Sequence, residues 1–98
     1  MSYTVKLVQQ RPNTGVEFFN PSEAVINKLE EYKSLGKIIS YDLLSTSADQ
    51  LVRTLSVVYN SVEDYDSAIN EDVFVESASL RELYCDDNSI SWSVEQVE

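Results

Sequence analysis

The chain has 98 residues, 43% of them apolar and 24% charged, enough for one domain over residues 1–98 and too few for a second core. Its net charge of −10 speaks against nucleic acid or an anionic membrane surface as a partner. Histidine is absent, which removes the commonest base at neutral pH, the commonest metal ligand and every Ser-His or Cys-His nucleophile pair.

In chain order, residues 3–10 alternate apolar and polar at first and predict a strand. A loop through Arg11, Pro12, Asn13, Thr14 and Gly15 follows, then Val16, Glu17, Phe18 and Phe19. Asn20 as N-cap, Pro21 in the first helical position and Glu23 three residues on predict a helix to about Leu35. Val25, Ile26, Leu29 and Tyr32 would form its buried stripe, and Gly36 its left-handed stop. Residues 38–45 and 51–60 are rich in β-branched and aromatic side chains, and the polar segment 46–50 between them predicts an antiparallel hairpin. Ser61 caps a second helix with Glu63 and Asp64 in its first turn and Val62, Tyr65, Ile69 and Val73 on one face. Ser79 with Glu82 repeats the capping pattern, so the stretch to Cys85 is either a kinked continuation or a separate short helix. Asp86, Asp87 and Asn88 predict a turn before a last strand over residues 89–97.

The order strand, helix, strand, strand, helix, strand predicts an α+β, ferredoxin-like β-α-β-β-α-β sandwich. Its four-stranded antiparallel sheet would carry both helices on one face. Strand parity collects Tyr3, Val5, Leu7, Ile39, Tyr41, Leu43, Leu55, Val57, Tyr59, Ile90, Trp92 and Val94 on the face under the helices. The other face collects Thr4, Lys6, Val8, Ser40, Asp42, Leu44, Val52, Thr54, Ser56, Val58, Ser91, Ser93, Glu95 and Val97. Small hydroxyls and valines suit close packing of two sheets, which predicts a homodimer through that face, with simple exposure as the alternative.

The lone Cys85 cannot form an internal disulfide, the N-terminus has no signal-peptide pattern, and no apolar run approaches the ~18 residues that span a bilayer. A cytoplasmic protein is expected. Residues 50–98 hold two basic against eleven acidic groups, so residues 63–87 could dock a basic partner, or serve solubility alone.

The segment from Leu55 to Tyr65 delivers a strand into a Ser-x-Glu-Asp-aromatic helix start. In this, and in its overall pattern, the chain resembles the dimeric α/β-barrel superfamily, the ferredoxin-like group that includes the antibiotic-biosynthesis monooxygenases. The resemblance implies a homodimer with facing sheets and a small-molecule pocket between sheet and helices. Its haem-binding members use an axial histidine, so haem is not expected here, nor any other cofactor or metal.

Candidate groups follow from the two faces. Asp42, Lys6 and Glu95 share the open face, where a buried carboxylate could act as a base or the three could form a rim ion pair. Tyr41, Tyr59 and Trp92 could line a pocket for a planar ligand, with Arg53 or Arg11 anchoring an anion, or could simply pack in the core. Phe18 and Phe19 would form a lid or plug the end of the core. A non-catalytic homodimer is the first reading. Its rival is a cofactor-independent enzyme on a small organic molecule, with Asp42 or Tyr41 as acid-base group and Arg53 for orientation.

Overall fold

The computed structural model describes residues 2–97. Strand β1 (Tyr3–Gln10) leads into helix α1 (Glu23–Ser34), and the hairpin of β2 (Ile38–Thr46) and β3 (Val52–Tyr59) follows. Helices α2 (Val62–Ala68) and α3 (Asp72–Asp87) then precede strand β4 (Ser91–Val97). The sheet is antiparallel in the order β2-β3-β1-β4, the ferredoxin-like arrangement.

Helix α1 begins two residues later than expected. Ser22, not Asn20, is the N-cap, its hydroxyl accepting from the Val25 amide at 3.4 Å. Asn20 is engaged elsewhere, because its Oδ1 accepts from Arg53 at 2.7 Å. The stop at Gly36 is as expected. Its φ of +78° lets Lys37 N–H reach Tyr32 O at 2.9 Å and Gly36 N–H reach Lys33 O at 3.1 Å, closing a Schellman motif. Val25, Leu29 and Tyr32 are buried, while Ile26 is left exposed.

Ser61 caps α2, accepting from the Asp64 amide at 3.2 Å. The interruption expected at Ser79 lies instead at residues 69–71, and α3 runs unbroken through Ser79. Asn70 accounts for the break. Its side-chain amide donates to Asp66 O at 2.8 Å, competing with the helical ladder. The turn expected at Asp86 and Asp87 is the last turn of α3, so helix gives way to strand only after Asn88.

The parity assignment holds on β1, β3 and β4. Tyr3, Val5 and Leu7 pair with Tyr59, Val57 and Leu55, and Leu7 and Gln9 pair with Val94 and Trp92. The buried cluster of Val25, Leu29, Tyr32, Ile38, Tyr59 and Ala68 sits between this face and the helices. On β2 the assignment slips by one residue. A register shift between Ile38 and Ser40 buries Ile38 at 2% exposure and leaves Ile39 at 52%. Beyond that bulge Tyr41 pairs with Val57 and Asp42 with Ser56, so Tyr41 and Leu43 pack on the core as expected; a second shift between Asp42 and Ser45 then sets Ser45 opposite Thr54. The side chain of Leu44 lies outside the described set.

Candidate functional site

Helix α3 covers the sheet loosely because of what it points inward. Phe74, Ser77, Ala78, Arg81 and Cys85 recur at three- and four-residue steps and form its inner stripe, whose centre is small. Two adjoining cavities result. One, of about 180 Å³, lies between Val5, Leu7, Leu55, Val57 and Tyr59 of the sheet, Val25 and Leu29 of α1, and Phe74, Ser77 and Arg81 of α3. The other, of about 430 Å³, extends under α3 past Tyr65, Ile69, Ala78 and Glu82 to Val94 on the edge strand. Both share Val5, Leu7, Phe74 and Arg81.

Among the described residues Arg81 is the only charged one lining the smaller cavity. Its guanidinium carbon lies 5.0 Å from the centroid of the Trp92 ring, and its Nε is buried with no hydrogen-bond partner. Burial pulls its pKa below the usual arginine value, with Glu82 pulling it back. Burial likewise pushes the Tyr59 hydroxyl, on the opposite wall, up to about 12, so it is a neutral phenol at physiological pH.

A tyrosine cluster closes the end of the core beside Tyr59. The rings of Tyr3 and Tyr59 lie 5.2 and 5.3 Å from that of Tyr65, and Gln96 accepts from Tyr3 and donates to the Tyr65 hydroxyl. Tyr32 donates to Glu71 at 2.9 Å, and burial followed by this bond raises its pKa to about 12.

Of the residues singled out from sequence, Tyr59 lines the smaller cavity and Trp92 meets it through Arg81. Arg11 and Arg53 come together elsewhere, both over the buried Phe18 ring at 4.3 and 4.7 Å from its centroid. Arg11 also donates to Val16 O and Gln50 O, which ties the β1–α1 loop to the hairpin. Phe18 plugs that end of the core, whereas Phe19 lines the smaller cavity and packs on Tyr84. Tyr41 is half-buried, its pKa raised by burial and then by its hydrogen bond to Glu30. Asp42 is exposed on the open face, in one cross-strand row with Ser56, Lys6 and Glu95. Glu63, Asp66, Asp72 and Glu76 point to solvent. Among the described residues no three His, Cys, Asp or Glu side chains gather as a metal site would require.

Arg81 is the residue that sequence reasoning missed. A kink or a new helix at Ser79, the two alternatives the capping pattern allowed, breaks the helical phase ahead of Arg81, whereas one continuous helix from Asp72 sets it four residues before Cys85 on the inner stripe. The signal was an arginine in phase with Phe74, Ser77 and Cys85.

Solved structures share this architecture over nearly the whole chain. SnoaB, a cofactor-independent oxygenase from Streptomyces nogalater, superposes with a TM-score of 0.64 at 11% identity, over 99% of this chain and 91% of its own. The two chains share one fold. A conserved protein of unknown function from Bacteroides thetaiotaomicron, described as a possible oxidoreductase, has a TM-score of 0.63 at 13% identity, over 99% and 96% of the two chains. A dimeric ferredoxin-like protein from an uncultured marine organism has a TM-score of 0.56 at 7% identity, over 98% and 92%. No protein-family model and no curated protein matches the sequence. The ferredoxin-like fold therefore stands on architecture, as the strand-into-helix pattern at Leu55 to Tyr65 implied. No helix among the described residues is long and apolar enough to cross a membrane.

Proposed function

We propose that this chain is a homodimer that binds a small, mostly apolar organic molecule between its sheet and its helices. The observation that carries this reading is the pair of adjoining cavities of about 180 and 430 Å³ that share Val5, Leu7, Phe74 and Arg81. Together they fall in the ~300–1,000 Å³ range of small-ligand sites, and apolar walls with few polar groups are what such sites need. The likeness of fold to SnoaB supports an organic ligand held without a cofactor. Binding is favoured over chemistry because Asp42, Tyr41 and Arg53, the groups nominated for acid-base work and orientation, are absent from both linings.

Indole, a neutral aromatic, tests the cavity. At roughly ten times its Kd it is expected to stabilise the protein by about 1.4 kcal/mol, seen as a rise of several degrees in the thermal midpoint. Ser77→Phe fills the cavity and is expected to abolish that rise. A wild-type midpoint that indole does not move would overturn the proposal.

The second copy belongs on the open sheet face, whose Thr4, Val8, Thr54, Ser56 and Val58 no helix among the described residues covers. The dimeric description of the marine ferredoxin-like protein supports it. Light scattering is expected to give twice the chain mass, and Val58→Glu, which sets a charge against its symmetry mate, to give the monomer. A wild-type monomer would contradict this assembly.

A further inference from the structure

Helix α3 carries its residues the wrong way round for a plain core helix. Leu80 and Leu83 lie outside at 51% and 63% exposure, while Arg81 between them turns toward the sheet. A core helix gains most by burying leucine and leaving arginine in water. Here an apolar cavity has been given a cation instead.

That cation has unused capacity. Guanidinium is a planar fork of five donors, and the Nε of Arg81 is buried without an acceptor. Trp92 offers the charge its ring face at 5.0 Å but accepts no in-plane hydrogen bond. Among the described residues no carboxylate forms an ion pair with Arg81; Glu82, the acidic group in the larger cavity's lining, is exposed. Arg81 thus lines a space shared with Val5, Leu7 and Phe74 while its Nε–H has no acceptor among the described residues.

Resting on the cavity proposed above, we infer that the ligand is a small apolar carboxylate whose carboxylate docks on Arg81 while its hydrocarbon body lies along Val5, Leu7 and Phe74. A carboxylate matches the fork with two parallel acceptors, which neither a neutral amide nor an alcohol can offer. One negative charge suffices for one arginine, and the apolar walls would reject a second.

Trp92 is the only tryptophan and lies against Arg81, so its fluorescence reports on this end of the cavity. The full chain is titrated with cyclohexanecarboxylate and with cyclohexanecarboxamide, which differ in charge but hardly in shape. The carboxylate is expected to bind about tenfold more tightly, the worth of one charge-assisted hydrogen bond. Arg81→Met, checked for native circular dichroism, is expected to erase the preference while keeping amide affinity; Arg81→Lys should retain part of it. Equal binding of the two compounds by the wild-type chain overturns the inference and leaves the cavity reading intact. Binding of neither, with indole still stabilising the protein, overturns the inference alone. Binding of neither, with indole also without effect, removes both.

Discussion

Gln9 has no solvent exposure, yet it is a polar side chain on the sheet face that packs against the helices. Its amide substitutes for a strand partner. Nε2 donates to Phe19 O at 3.2 Å, and Phe19 N–H donates to Oε1 at 3.1 Å, which fixes the loop carrying both phenylalanines. Gln9→Leu would strand both backbone groups in the interior, so a loss of about 2–4 kcal/mol is expected from urea unfolding. A loss below about 0.5 kcal/mol would show that water replaces the amide there. Parity alone sets Gln9 beneath the helices, but no sequence rule says that Phe19 backbone is its partner. The same holds for Arg11 and Arg53. Their type suggested an anion anchor, whereas what decides their surroundings is Phe18, a ring that a loop brings against both.

Helices and strands were legible wherever one local signal had no competitor. Ser61 and Gly36 end their helices where the sequence says, because a hydroxyl next to an acidic first turn and a glycine in the left-handed region have few other uses. Errors arose where two signals competed. Asn20 and Ser22 both suit an N-cap, and Arg53 claims the first. Ile38 and Ile39 are equally apolar, so alternation cannot say which is buried, and a bulge decides. Ser79 and Glu82 have the spacing of a capping box but lie inside α3. Chemical denaturation separates the two serines. Ser61→Ala is expected to cost about 1 kcal/mol through its lost cap, and Ser79→Ala to be neutral within about 0.5 kcal/mol, since alanine is at least as good within a helix. A larger loss at Ser79 than at Ser61 would put the helix start back at Ser79.

At the scale of the molecule, the order β2-β3-β1-β4 and the gathering of Tyr59, Val57 and Trp92 on the helix side follow from period-two alternation in β1, β3 and β4. The cavity does not follow from that pattern. It depends on how far α3 stands from the sheet, which Ser77, Ala78 and Arg81 set by being small or charged where Leu80 and Leu83 would have filled the gap. On the proposed reading the two faces of one sheet take different roles: the covered face leaves room for a guest, and the open face remains for a second copy. Methyl-resolved NMR of the wild-type protein during an indole titration tests this division most directly. Saturable shifts are expected for Val5, Leu7 and Val57, with Val8 and Val58 unmoved. Shifts confined to Val8 and Val58, or none at Val5 and Leu7, would contradict it.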